Sequence, residues 1–179
     1  VADGRGVMTD PWPGLHAGAA THRSTDGGQT WGDSVWLSGV PGIEPFHESL
    51  GIPVAVRGNI LELGDGRLVV SAYGFDCDNT SYLFQSIDQG QSWTFHSTIA
   101  TGFNESYLHE TPGGDLIVFM RAWGDRVDHI HISRSPDGGL TWAEPESLCL
   151  GYPATCAFLG SGNLLITYGY RFEEGFGVR

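Results

Sequence analysis

A repeat with a fixed period is the feature of this sequence that most restricts its fold. Three glycines, each at the start of a short apolar stretch, are separated by 48 residues: Gly66, Gly114 and Gly162. An eight-residue box, Ser-x-Asp-x-Gly-x-(Thr/Ser)-Trp, keeps phase with them at residues 24–31, 86–93 and 135–142. Self-similarity at this spacing indicates a repeat architecture in which each repeat is one supersecondary unit.

Each complete repeat holds four stretches with the composition of β-strands. In the second repeat the predicted strands are residues 59–63, 67–73, 81–86 and 92–99. In the third repeat they are residues 107–111, 116–121, 129–133 and 141–148. A glycine turn joins the first two strands and the box joins the last two, as in consecutive antiparallel hairpins. Four such strands per repeat, without a helical stretch, predict an all-β protein built of β-propeller blades.

The phase of the two signals divides the chain into about three and a half blades. The predicted blades are residues 1–43, 44–103, 104–151 and an incomplete 152–179. The chain opens near the glycine turn of one repeat and stops shortly before a fourth box is due. We therefore expect a partial propeller, cut from a longer protein and catalytically incompetent by itself.

The box residues predict a structural turn. Asp and Ser side chains can cap backbone N–H groups of their own turn, Gly supplies a positive φ, and the closing Trp packs into the seam between blades. We assign this role to Ser24, Asp26, Gly28, Trp31, Ser86, Asp88, Gly90, Trp93, Ser135, Asp137, Gly139 and Trp142. We expect no cofactor and no metal, with calcium at these loops as a minor alternative.

Charge and cysteine content limit the classes of partner. The formal net charge is −12, and the nine basic residues are all arginines, which disfavours nucleic acid. An anionic sugar would need a local arginine cluster within this acidic field. The longest apolar run, residues 116–120, is too short to span a membrane. Three cysteines (Cys77, Cys149, Cys156) leave at least one thiol free, so they do not decide the compartment.

Strand direction predicts where a functional site lies. The glycine turns and the boxes share one end of the blades, here called the box end, and the remaining connections lie at the opposite loop end. Glu105 and Arg121 flank the same glycine turn at similar distances, so both return to the loop end. Trp123, Tyr170 and Arg171 belong to the same layer. An insertion of about 14 residues in a loop-end linker adds His47 and Glu48 as candidate substrate contacts, and a solvated loop without such a role is the alternative.

The boxes resemble the Asp-box, or bacterial neuraminidase repeat, of sialidases, and this resemblance covers nearly the whole chain. It implies a six-bladed sialidase-type propeller. Phe103-Asn-Glu105, followed by a hairpin that ends at Arg121, is similar to a sialidase segment with two functional residues. One is a glutamate that assists a tyrosine nucleophile, and the other is an arginine of the triad that binds the substrate carboxylate. The resemblance implies these roles for Glu105 and Arg121, and a triad role for Arg171 or Arg179.

The sequence also departs from the sialidase pattern. The Arg-Ile-Pro segment that supplies the first triad arginine is absent, and no residue corresponds to the acid/base aspartate or to the nucleophilic tyrosine. A structural ion pair is therefore the alternative for Glu105 and Arg121. His129 and His131 lie on one strand face, as a metal pair would, but packing or exposure is the favoured interpretation.

Three hypotheses follow for function. The first is a sialidase-like exo-glycoside hydrolase acting on a terminal, acidic sugar of a glycan. Its catalytic residue is Glu105, and its substrate-binding residues are Arg121, Arg171, His47, Glu48, Trp123 and Tyr170. The second is a non-catalytic glycan-binding propeller, and the third is a polysaccharide lyase in which a tyrosine or histidine takes a proton beside a uronate. The resemblance favours a secreted or periplasmic location.

Overall fold

A computed structural model describes residues 18–45, 51–74, 79–123, 129–170 and 177–178. The regular structure of these residues is entirely β. The strands are β1 (Ala20–Thr21), β2 (Val35–Trp36), β3 (Val54–Ala55), β4 (Ile60–Glu62), β5 (Leu68–Gly74), β6 (Ser81–Ser86), β7 (Thr94–Ala100), β8 (Phe103–Glu110), β9 (Leu116–Ala122), β10 (His129–Ser135), β11 (Glu146–Leu150), β12 (Tyr152–Phe158), β13 (Leu164–Tyr170) and β14 (Gly177–Val178).

The strands form four antiparallel sheets in chain order. The first sheet is β1–β2, and the third is β8–β9–β10–β11. In the second sheet β3 and β4 both pair with β5, which continues to β6 and β7. The fourth sheet is β12–β13–β14. Apart from β3, which pairs with β5, each strand pairs with a neighbour in sequence, as in propeller blades. The predicted all-β partial propeller is confirmed.

Two strands begin four or five residues away from their predicted starts, for physical reasons. The last strand of the third sheet begins at Glu146 rather than at residue 141. Pro145, directly before it, has no N–H to donate to a ladder. The first strand of that sheet begins at Phe103, four residues earlier than predicted. A register shift between Phe103 and Ser106 interrupts the alternation there and hides the strand's beginning in the sequence.

Apolar side chains fill the seams between successive sheets. Strand β9 shows how one strand serves two seams, because its successive side chains point to opposite faces. Leu116, Val118 and Met120 pack against the second sheet. Ile117 and Phe119 pack against the fourth sheet. The interior strands therefore read as continuous apolar runs, and each sheet is held between its neighbours.

Each box closes on its own side chains, as its third copy shows. Ser135 Oγ donates to Asp137 Oδ1 at 2.8 Å, and the N–H of Gly139 donates to Ser135 Oγ at 2.8 Å. Thr141 donates its N–H to Oδ1 of Asp137 at 2.9 Å and its hydroxyl to Oδ2 at 2.6 Å. The hydrogen bond from the Thr141 hydroxyl is the main cause that lowers the pKa of Asp137 to about 2. The boxes at Asp26 and Asp88 share this pattern.

Two of the three box tryptophans connect neighbouring sheets. Trp93 Nε1 donates to Thr21 Oγ1 of the first sheet at 2.8 Å. Trp142 Nε1 donates to Ser97 Oγ of the second sheet at 3.2 Å. Trp31 was expected in a seam as well, but it is 64% exposed. Trp31 belongs to the box of the first sheet, and no described residues form a preceding sheet against which its ring could pack.

Candidate active site

A β-bulge at the loop end of the third sheet sets the direction of Glu105. Phe103 pairs with Ala122 and Ser106 pairs with Met120, so two residues of β8 oppose Arg121 alone. Bulges of this kind re-aim side chains and are common next to active sites. The bulge also reverses the face of the strand on which odd- and even-numbered side chains lie. Phe103 and Leu108 are an odd number of residues apart, yet both pack into the same seam.

Asn104 holds this bulge in place. Its side chain is buried, and its Oδ1 accepts the backbone N–H of Glu105 at 2.8 Å. Its Nδ2 donates to Asn79 Oδ1 at 3.4 Å, and the carbonyl of Asn79 accepts the N–H of Phe103 at 2.9 Å. Asn79 has a φ of +48°, which asparagine tolerates better than most residues. The direction of Glu105 is therefore fixed from two sheets.

Glu105 and Arg121 form an ion pair across the bulge. Arg121 Nη1 donates to Glu105 Oε2 at 2.8 Å, and the two side chains are 22% and 20% exposed. The guanidinium carbon of Arg121 lies 5.3 Å from the ring centroid of Tyr152 in the fourth sheet. Nε of Arg121 is buried with no hydrogen-bond partner among the described residues. Arg121 is thus packed on one side and directed to a carboxylate on the other.

A second arginine reaches the same carboxylate from the second sheet. Arg57 Nε lies 3.4 Å from Glu105 Oε1, and the Arg57 side chain is 44% exposed. Its loop joins β3 to β4 and lies directly on β8, since a Cβ at Gly58 would overlap the carbonyl oxygen of Ser106. Two arginines from different sheets therefore bind opposite oxygens of one glutamate.

Tyr73 lies beside these charges at the end of β5. Ser71, two residues earlier on the same strand face, accepts a hydrogen bond from Ser106 Oγ at 2.8 Å across the seam. Burial is the main cause that raises the pKa of Tyr73, and the negative charge of Glu105 adds to it. The positive charges of Arg121 and Arg57 act in the opposite direction and lower this pKa. The raised pKa keeps the Tyr73 hydroxyl protonated at neutral pH.

The structure brings together only part of the residue set expected from the sequence. Trp123 follows β9 and is 50% exposed, and its backbone N–H donates to the carbonyl of Gly102 at 2.8 Å. Tyr170 ends β13, pairs with Gly177 and is partly buried. His47, Glu48, Arg171 and Arg179 lie outside the described residues.

Arg57 and Tyr73 were missed by sequence reasoning. Strand parity, which selected Arg121, applies equally to Tyr73 because β5 also ends at the loop end. No pattern in the sequence marks Arg57.

The boxes lie at the opposite end of the sheets from this cluster. In the third sheet Ser135 pairs with Leu116, whereas Ile130 pairs with Arg121. Their carboxylates are occupied by donors of their own turns, so chemistry at the loop end does not involve them.

The remaining sequence candidates show packing rather than a site. His131 is buried, and its ring centroid lies 5.0 Å from that of Phe103. Within the described ranges, no group of three or more His, Cys, Asp or Glu side chains could hold a metal ion. Cys149 and Cys156 are free thiols in the seam between the third and fourth sheets, and Cys77 lies outside the described residues. The described part of the chain contains no helix that could cross a bilayer.

Comparisons with known proteins agree with this architecture. The family model of the BNR repeat-like domain matches residues 7–171. No curated protein matches the sequence. A solved protein of unknown function from Dyadobacter fermentans is 28% identical, with a TM-score of 0.81. The match covers 90% of this chain and 47% of that protein, so the chain spans about half of its length.

Two more distant structures share the fold. The Hadza microbial sialidase Hz136 is 19% identical with a TM-score of 0.61, over 84% of this chain and 30% of the sialidase. An ulvan lyase of polysaccharide lyase family PL25, bound to a GlcA(1-4)Rha3S saccharide, is 14% identical with a TM-score of 0.53. That match covers 83% of this chain and 40% of the lyase. Glycan-acting proteins with different chemistries therefore share this propeller.

Proposed function

The chain belongs to the BNR repeat-like domain family, and on that basis we propose that its loop end acts on a glycan. The reaction we propose is hydrolysis of the bond to a terminal acidic sugar, as in sialidases. The observation that carries this proposal is the Glu105–Arg121 ion pair at a β-bulge, 2.8 Å between Oε2 and Nη1, at the end of the sheets opposite the boxes. Fold alone does not decide the chemistry, so the argument rests on this cluster.

The cluster supplies groups suited to this reaction. Arginine guanidinium groups bind carboxylates with parallel N–H donors, which suits Arg121 to an acidic sugar. The carboxylate of Glu105 can accept the phenol proton as the tyrosine oxygen attacks the anomeric carbon and the glycosidic C–O bond breaks, while the departing oxygen takes a proton from water. Water then releases the sugar from the tyrosine and restores the phenol. Tyr73 is the candidate for this nucleophile, because the negative charge of Glu105 contributes to raising the pKa of its phenol. Trp123 and Tyr170 would add aromatic walls to the sugar site.

A lyase is a second candidate, and the two arginines beside Glu105 favour it. In this chemistry Glu105 accepts the proton of the Tyr73 phenol as the phenol oxygen removes the proton next to a uronate carboxylate, and the C–O bond to the neighbouring sugar then breaks. The positive charges of Arg57 and Arg121 would stabilise the negative charge that develops. Both candidates use the same side chains, and their products differ. Hydrolysis releases a reducing sugar, whereas a lyase releases an unsaturated uronate that absorbs ultraviolet light.

Replacement of Glu105 tests the proposal directly. The protein is assayed in the full-length form expected from the sequence, on a fluorogenic sialoside and on a panel of neutral glycosides, acidic glycosides and polyuronates. Glu105→Gln keeps the size of the side chain and removes its charge, and we expect kcat on the active substrate to fall by about 10²–10⁴-fold, the usual contribution of a general base. Glu146→Gln, an exposed change on β11, is the matched control. Tyr73→Phe should cause a loss comparable to that of Glu105→Gln.

The possible outcomes separate the hypotheses. Unchanged turnover by Glu105→Gln would show that Glu105 is not a catalytic residue. Glycan binding without turnover by the unmodified protein would contradict the enzyme proposal and favour the binding module.

A further inference from the structure

We propose that Arg57 is the residue that recognises the negative charge of the glycan, as a carboxylate or a sulfate, beside Glu105 and Arg121. This inference rests on the proposed function, because it names the substrate class of that same site. Arg57 belongs to no motif of the sequence, and its role follows from its place between the second and third sheets.

The local charge balance favours an anionic ligand. Glu105 is approached by two guanidinium groups, Arg121 at 2.8 Å and Arg57 at 3.4 Å. These three side chains together carry one excess positive charge, although the whole chain has a formal charge of −12. A positive centre in an acidic protein is a local feature and not part of a general basic surface. Such a centre attracts an anion over roughly one Debye length, about 8 Å at physiological salt.

The two arginines differ in how tightly they are held. Arg121 makes the shorter contact, is 22% exposed and packs on the ring of Tyr152. Arg57 makes one longer contact and is 44% exposed. An exposed pair of this kind contributes little to stability, so Arg57 can transfer from Glu105 to a ligand at low cost. Its planar fork then fits a carboxylate or sulfate with two parallel hydrogen bonds.

The loop that carries Arg57 is docked firmly on the third sheet. Gly58 lies so close to the carbonyl of Ser106 that a side chain there would overlap it. Asn59 donates to the carbonyl of Leu108 and accepts its N–H, both at 3.2 Å. The backbone that directly follows Arg57 is thus fixed relative to Glu105, while the guanidinium of Arg57 remains open to solvent. A preorganised arginine of this kind loses less entropy when it binds a ligand.

The test compares acidic and neutral members of matched glycan pairs. The protein is titrated with sialyllactose against lactose, with an oligogalacturonate against its carboxyl-reduced form, and with a sulfated oligosaccharide against its unsulfated form. We expect the unmodified protein to prefer the acidic member of at least one pair. Arg57→Ala should weaken binding of that member by about ten- to a hundredfold, as for the loss of a charged hydrogen-bond partner. Binding of the neutral member should stay within about twofold.

Two further variants make the result specific. Arg57→Lys keeps the charge without the planar fork and should recover part of the preference. Arg134→Ala removes an exposed arginine of β10 near the box end and should change nothing. Circular dichroism of each variant confirms that it is folded.

Failure of this inference is distinguishable from failure of the proposed function. If Arg57→Ala keeps the full preference for the acidic glycan, or weakens both members of the pair equally, the role assigned to Arg57 is wrong and the glycan site stands. If no glycan of the panel is bound or turned over by the unmodified protein, the proposed function is wrong, and the role of Arg57 falls with it.

Discussion

One added methyl group at Gly139 should disrupt the seam that brings the second and third sheets together. Gly139 closes the turn of the third box with a φ of +91°. A Cβ built there would overlap Leu83 Cδ2 and lie 3.3 Å from Leu116 Cδ1. Leu83 and Leu116 are fully buried, so neither can move aside. The carbonyl of Gly139 also accepts a hydrogen bond from Ser97 Oγ at 2.5 Å, which ties the turn to the second sheet.

The magnitude of the effect follows from two additive costs. An L-residue with a left-handed backbone costs about 1–2 kcal/mol. Overpacking a well-filled core costs a further 1–3 kcal/mol, approximately. Gly139→Ala should therefore lower the free energy of unfolding by about 2–5 kcal/mol. Gly28 holds the same position in the first box with a φ of +89°, and its Cβ would meet only Trp31 Cζ2 at 3.8 Å. Gly28→Ala should cost only the backbone term.

Urea unfolding followed by circular dichroism measures both variants under identical conditions. The difference between the two free energies isolates the contact of the methyl group with the seam, because the backbone strain is common to both. Equal destabilisation by Gly28→Ala and Gly139→Ala would refute the tight seam at Leu83. Arg57 meets Glu105 across this same seam, so a loosened Gly139→Ala protein should also lose activity.

Two further predictions concern His109 and Trp123. The ring of His109 stacks on that of Phe158, with 5.3 Å between the ring centroids. Its Nε2 is buried and has no hydrogen-bond partner in the described ranges. Burial lowers the pKa of His109 below its usual 6.5. As pH falls, His109 is therefore protonated in the unfolded chain before it is protonated in the folded one. The contribution of neutral His109 to the free energy of unfolding is complete above pH 6.5 and is lost as pH falls toward the pKa of His109 in the folded protein. His109→Phe should reduce this loss in urea unfolding across that range, and an unchanged pH profile would contradict the assignment. Trp123→Ala should weaken glycan binding by about three- to tenfold, as for loss of an aromatic contact. Trp31→Ala, which removes an exposed tryptophan at the box end, is the control, and equal effects of the two changes would argue against a sugar contact at Trp123.

The fold could be predicted from the sequence because its signals are local and periodic. The 48-residue spacing of Gly66, Gly114 and Gly162 sets the length of a blade, and the boxes mark one hairpin of each repeat. The same logic predicted that Glu105 and Arg121 meet, since both strands leave one glycine turn and return to the same height. Only short-range geometry was needed for these inferences.

The rest of the cluster depends on contacts between sheets, which no local pattern records. Arg57 reaches Glu105 because Gly58 allows the β3–β4 loop to lie on β8. Tyr73 is the next-to-last residue of a largely buried strand, where an aromatic residue is indistinguishable in sequence from a core residue. The bulge at Asn104 was equally hidden, because a shift of one residue reverses the alternation by which strands are recognised.

The two ends of the propeller hold their carboxylates in different ways, and this difference favours the loop end as the place of the proposed chemistry. Both oxygens of Asp88 accept hydrogen bonds from Ser86 and Ser92 within its own turn, and the pKa of Asp88 is lowered to about 2, mainly by the Ser92 hydroxyl. A ligand would have to unfold that turn to compete. Among the described residues, the Glu105 carboxylate is bound by side chains from two sheets, one of them the exposed Arg57. A ligand anion could replace that contact without breaking a turn, which is what the proposed glycan site at the loop end requires, whereas the turns of the box end hold their carboxylates in place.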